Sequence, residues 1–192
     1  MAWIVCGLGN PGTKYEQTPH NVGFRTVDEL CEQLGARWSS KFNALIAEAN
    51  ASSGANAQKV VLMKPQQFMN LSGGPLKQVA NYFKILADNL VVVHDDIDLH
   101  FGAIKVKFGG GDAGHNGLCS ITKSFGTNEY YRVRLGVGRP SESAAVSSYV
   151  LGQFSKAQKN ELPEFLARAV DASLGLIMTT LEEVQRKFHS KS

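Results

Sequence analysis

The sequence predicts an α/β protein, a single domain over residues 1–192 with a twisted mixed β-sheet flanked by helices. Three observations lead there. Residues 2–6 and 90–94 are short apolar runs with little alternation, as in strands covered on both faces. Other segments carry apolar residues at helical spacing, such as Val27, Leu30, Cys31 and Leu34. The two kinds alternate with no linker or internal repeat, the pattern of a layered α/β domain. At 192 residues the chain can bury one sizeable core.

In chain order, residues 2–6 form a strand that runs into G-L-G-N-P-G, where glycines permit unusual backbone angles and Pro11 stiffens the loop. Thr18-Pro19 reads as a helix start, a hydroxyl N-cap followed by proline, with His20 in the first turn and a helix through residues 22–34. There the helix dipole favours a neutral imidazole, which suits a general base. Residues 44–49 and 59–64 read as strands joined by a polar, mobile tip at 50–58. After Pro65 an irregular stretch, 66–74, precedes a helix marked by Leu76, Val79, Ala80 and Phe83.

Residues 90–94 form the next strand, ending in D-D-I-D. Residues 104–108 form another, and G-G-G-D-A-G-H-N-G leads into a helix at 118–125. Residues 131–137 are a strand with Arg132 and Arg134 on one face. From Ser155 a long apolar stripe runs through Leu166, Val170, Leu174, Ile177, Leu181 and Val184. Pro163 is expected in a first helical turn or at a break between two helices.

Bulk properties narrow the function classes. The 43% apolar and 19% charged shares are ordinary for a globular protein. No apolar run approaches the roughly 18 residues of a membrane span, and the N-terminus lacks a signal-peptide pattern, so a cytoplasmic location is expected. Cys6, Cys31 and Cys119 are odd in number and widely spaced, which supports neither a disulfide framework nor a zinc site. They read as reduced core residues. A net charge of +3 does not by itself mark a nucleic-acid binder. Lys105 and Lys107 before the glycine run, the two strand arginines, and Arg186, Lys187 and Lys191 are basic clusters, each also explicable as solvated surface.

The chemistry lies at the strand ends. Asn10 follows the first strand, Asn70 the strand before Pro65, Asp95, Asp96 and Asp98 the V-V-V-H strand, and His115 and Asn116 the glycine loop. Open α/β sheets gather ligands beyond the carboxyl ends of their strands, so these groups can converge with His20. There is no G-x-S-x-G elbow and no cysteine placed for attack. A metal site from His94, Asp95, Asp96, Asp98 and His115 is conceivable, but strand alternation would split D-D-I-D between faces. G-L-G-N-P-G also matches the dinucleotide-binding G-x-G-x-x-G, yet Pro11 and the polar run 13–18 delay the helix that motif needs. What remains is a neutral histidine activating water, a carboxylate orienting it, and amide side chains holding a carbonyl substrate. An RNA-binding module without catalysis, using the same basic face, is the alternative.

The sequence resembles bacterial-type peptidyl-tRNA hydrolase along nearly its whole length. The blocks that carry the resemblance are V-C-G-L-G-N-P-G-T-K-Y-E-Q-T-P-H-N-V-G-F, K-P-Q-Q-F-M-N-L-S-G, V-V-V-H-D-D-I-D-L, G-A-I-K-V-K-F-G-G-G-D-A-G-H-N-G-L, Y-R-V-R-L-G-V-G-R-P and Y-V-L-G-Q-F. The resemblance implies a monomeric cytoplasmic enzyme of translation, free of metal and organic cofactor, that cleaves the ester between peptide and tRNA and so recycles tRNA. It implies His20 as catalytic base, Asp95 as its orienting carboxylate and Asn10 as the amide near the ester. Asn70 and Asn116 would grip the peptide backbone and the attacking water, with Tyr15, Phe68, Met69 and His115 lining the groove. Lys105 and Arg134 would hold the tRNA's 5′-terminal phosphate. Two departures stand out. Asp112 and Ala113 replace a histidine and a glycine common in the family's glycine loop, and residues 141–149 lack the lysine usual there. An extra carboxylate near phosphate would weaken its attraction, and Arg139 or the basic C-terminus would have to compensate for the lysine.

Overall fold

Alternate residues of the apolar strands point to opposite faces of a sheet, and each face here has its own core. In the computed structural model, which describes residues 1–52, 54–141 and 144–189, the strands are β1 (Ala2–Gly7), β2 (Ser39–Lys41), β3 (Ala44–Asn50), β4 (Lys59–Pro65), β5 (Leu90–Asp96), β6 (Ile104–Phe108) and β7 (Tyr131–Gly136). The helices are α1 (Val22–Gln33), α2 (Gly73–Phe83), α3 (Asn116–Phe125), α4 (Val146–Val150), α5 (Lys156–Met178) and α6 (Leu181–His189). The sheet order is β2-β3-β4-β1-β5-β7-β6. The inner pairs β4-β1, β1-β5 and β5-β7 are parallel, while β2, β3 and β6 join antiparallel. This is the mixed sheet flanked by helices that the alternation predicts.

Val5, Leu62, Val91, Val93 and Val133 face one core with Val27 and Leu30 of α1, Phe165 and Leu166 of α5, and Phe188 of α6. Ile4, Cys6, Val61, Met63 and Val92 face the other, with Leu76 and Val79 of α2 and Leu118 and Ile121 of α3. Both faces being covered explains why β1 and β5 read as continuous apolar runs.

Close backbone approach sets the entry to α1. A Cβ on Gly23 would lie 2.3 Å from the Val93 carbonyl oxygen and 2.6 Å from Leu8 N, and one on Gly7 would lie 2.3 Å from the Gly23 oxygen. Leu8 N donates to Val93 O at 2.9 Å and Phe24 N to Leu8 O at 3.2 Å. The start of α1 therefore rests directly on the ends of β1 and β5, and this seats His20 next to Asp95.

Several expectations need correction. The Thr18 hydroxyl donates to Tyr15 O at 2.8 Å and caps no helix. Pro19–Asn21 is a 3₁₀ turn, so His20 precedes the α-helix instead of sitting in its first turn. Pro163 lies well inside the continuous α5, and the break in the apolar stripe falls at Thr179, whose extended backbone ends the helix. A capping box at Ser155 and Gln158 fixes the start of α5. Cys6 and Cys31 are buried but Cys119 is exposed on α3, since it lies off the face of α3 that carries Leu118 and Ile121 into the core. Arg132 is no surface charge but fully buried. Within 50–58, residues 51 and 58 are joined by a backbone hydrogen bond. Residue 53, residues 142 and 143 of the 141–149 segment, and Lys191 of the basic C-terminus lie outside the described residues. Among the described residues no helix is long and apolar enough to cross a membrane.

Candidate active site

Asp95 is the next-to-last residue of β5 with its side chain buried, and both its oxygens meet an imidazole. Oδ2 lies 2.8 Å from His20 Nδ1 and Oδ1 lies 2.8 Å from His115 Nε2. Burial opposes ionisation of Asp95, but electrostatic attraction to His20 and His115 and the hydrogen bonds from them outweigh it and hold the carboxyl well below the usual carboxylate range. An ionised carboxylate only accepts, so both ring nitrogens facing it carry protons. His115 confirms this independently. It is the N-cap of α3, and its Nδ1 accepts from Gly117 N at 3.1 Å and Leu118 N at 3.4 Å, leaving the proton on Nε2. In the neutral form of His20, a ring that lines the cavity, the lone pair is then on Nε2.

Asn10 is fixed from three sides. Its N–H donates to Asn21 Oδ1 at 2.8 Å and its carbonyl accepts from Asn21 Nδ2 at 2.9 Å. Its Oδ1 accepts from Met69 N at 2.7 Å, which leaves the Nδ2 donor unspent at the cavity wall. Asn21 is a site residue that sequence reasoning passed over. Its signal was its position directly after His20, but its role depends on a contact across the loop.

The cavity, of about 670 Å³, joins Asn10, His20, Phe68, Met69, Asn70, Asp95, His115 and Asn116, so most of the expected site residues do meet. Tyr15 lies at its margin, edge-on to Phe68 with ring centroids 6.3 Å apart. The cavity continues along β5 to Arg134, Lys107 and the glycine loop. Cross-strand register pairs Lys105 with Arg134 and Lys107 with Arg132, placing four cations on one face. Of the two lysines it is Lys107 that lines the cavity, while Lys105 is exposed beside it. Arg134 Nε donates to Asp96 Oδ2 at 2.9 Å, and Arg139 pairs with Asp98. These arginines take up Asp96 and Asp98, so the five-residue metal set does not assemble. Among the described residues, His20, Asp95 and His115 alone bring ligand atoms within 4.8 Å of one another. Holding a cation there would require both imidazoles to give up their protons on Asp95.

The peptidyl-tRNA hydrolase family description matches residues 4–192. The chain belongs to the peptidyl-tRNA hydrolase family. A peptidyl-tRNA hydrolase of Renibacterium salmoninarum is 48% identical over 189 residues, covering 97% of this chain and 96% of the relative. One of Streptomyces coelicolor is 44% identical over 191 residues, covering 98% and 95%. The crystal structure of peptidyl-tRNA hydrolase from Acinetobacter baumannii superposes with a TM-score of 0.88 at 28% identity, covering 97% of this chain and 94% of that one. The peptidyl-tRNA hydrolase fold thus extends over the sheet and helices described above.

Proposed function

We propose that this protein hydrolyses the ester joining a peptide to the 3′ end of tRNA, with His20 as general base. The observation that carries the reading is the 2.8 Å hydrogen bond from His20 Nδ1 to Asp95, which leaves Nε2 free to take a proton. Water gives a proton to His20 Nε2 as its oxygen attacks the ester carbonyl carbon. Asp95 stabilises the imidazolium that forms, and Asn10 Nδ2 is the donor placed for the developing oxyanion. Collapse breaks the bond from carbonyl carbon to ribose 3′ oxygen, and the imidazolium returns its proton to that oxygen. No covalent intermediate forms. A positioned base contributes about 10²–10⁴ in rate and one oxyanion donor roughly 10²–10³. Their product suffices for an ester.

Recognition follows the same chemistry. Asn70 and Asn116, both exposed at the cavity, offer donor and acceptor together and so suit peptide main chain of any sequence. Phe68 and Met69 supply apolar wall, Tyr15 backs the Phe68 ring, and His115 lines the groove while fixing Asp95. Lys107 and Arg134, with Lys105 at the rim, suit a phosphate of the tRNA and need no base contact. One chain carries all these groups, which supports a monomer as the acting unit, and a role in translation suits the cytoplasm. Incubation with an N-acetylated aminoacyl-tRNA in EDTA tests the reading. Release of free N-acetyl amino acid is expected, and binding without release would leave an RNA-binding module.

A further inference from the structure

We propose that Asp112 is a positioning residue for His115, acting through hydrogen bonds that fasten the glycine loop to a buried guanidinium and to α3. The inference rests on the reading of His115 and Asp95 as part of the catalytic site.

Arg132, on β7, is fully buried, and its guanidinium lies over the Tyr130 ring at 4.6 Å. Nη1 donates to Gly111 O at 2.7 Å and Nη2 to Gly110 O at 2.8 Å. Beyond the two carbonyls the guanidinium reaches a third acceptor, Asp112 Oδ1, 3.2 Å from Nη2. The same oxygen accepts from Thr122 Oγ1 at 3.0 Å. Thr122 belongs to α3, whose N-cap is His115. The Asp112 carbonyl meanwhile accepts from His115 N at 2.9 Å. One residue therefore ties the loop to the sheet, to the body of α3 and to the backbone of the histidine that reaches Asp95.

The loop needs such a tie. Gly110 and Gly114 have positive φ, and so does Ala113, at +49°, a region that costs a residue with a Cβ roughly 1–2 kcal/mol. Loose, the loop would relax away from this conformation and carry His115 Nε2 off Asp95 Oδ1. Asp112 looks from sequence like a carboxylate that weakens phosphate binding. Paired with a guanidinium of zero exposure, it leaves Lys105, Lys107 and Arg134 to face the phosphate.

The test compares Asp112→Ala and Asp112→Asn in the full-length protein. Asp112→Ala is expected to lower kcat about tenfold or more while changing KM less than about twofold, as misplacement of a catalytic group does. Asp112→Asn keeps an oxygen for Arg132 and Thr122 and is expected to restore at least about half of the wild-type kcat. Nitrogen-edited NMR of the ring is the second readout: the His115 Nε2–H signal should persist in wild type and Asn variant and be lost to exchange in the Ala variant. Wild-type kcat in Asp112→Ala, or an Asn variant no better than Ala, overturns the proposal. So does a lower KM with steeper salt dependence and unchanged kcat, which would make Asp112 a charge regulator. If wild type releases no peptide, the hydrolase reading fails on its own, and the NMR comparison still decides whether Asp112 positions His115.

Discussion

Three imidazoles surround Asp95, and their ring nitrogens divide the labour. His20 and His115 donate to its carboxylate, while His94 Nδ1 lies 2.8 Å from its backbone carbonyl and so donates there. Burial, followed by the electrostatic effect of the His115 ring, pushes the His94 pKa from 6.5 down to about 3. The sign follows from linkage. Below pH 6.5 the unfolded chain takes a proton at His94 that the folded protein refuses, so stability falls as pH drops through the window from about 6.5 to about 3. The slope from this residue is at most about 1.4 kcal/mol per pH unit. Asp95, depressed in the fold, contributes stability that is complete above its ordinary 3.8 and fades only at lower pH. Urea unfolding of His94→Gln between pH 4.5 and 7 should therefore show a flatter pH dependence than wild type. Equal slopes would mean that His94 titrates alike folded and unfolded.

At the level of elements, placement depends on how closely α1 rests on the strand ends. Gly23→Ala puts a methyl group against the Val93 carbonyl and Leu8 N, and should cost about 1–3 kcal/mol in denaturant unfolding, with kcat reduced as His20 shifts from Asp95. An unchanged midpoint would show that the start of α1 can move freely. On β6 and β7, Lys107→Ala and Arg134→Ala should raise KM and flatten its salt dependence with little change in kcat. Lys105→Ala, at an exposed residue off the cavity wall, should do so less. Salt slopes equal to wild type would remove this face from tRNA binding. The strands β1, β4 and β5 were legible as apolar runs because both their faces are covered, and α1 because burial on one face leaves a helical period. Strand β2 has three exposed polar residues and α4 spans Val146–Val150, too short for a period to appear. Asp95, His20 and Asn10 were legible through strand-end position and family resemblance. Asn21, Arg132 and the precedence of Lys107 over Lys105 were not, because each is set by contacts between segments far apart or by which alternate residue reaches the cavity.

Across the whole molecule, the parallel strands bring Asn10, Asn70 and Asp95 to one edge of the sheet, and the loop before α3 adds His115 and Asn116 there. The basic face of β6 and β7 continues from that edge, so one surface can meet both the ester and the tRNA phosphates. On that surface the His20 imidazole, oriented by Asp95, is proposed to take the proton from water. Single-turnover release from N-acetylated aminoacyl-tRNA by His20→Ala, with tRNA affinity measured on the same preparation, tests it most directly. Release should fall at least about a hundredfold, with tRNA affinity within about twofold of wild type. Release at a tenth of the wild-type rate or faster, with tRNA still bound, would contradict it.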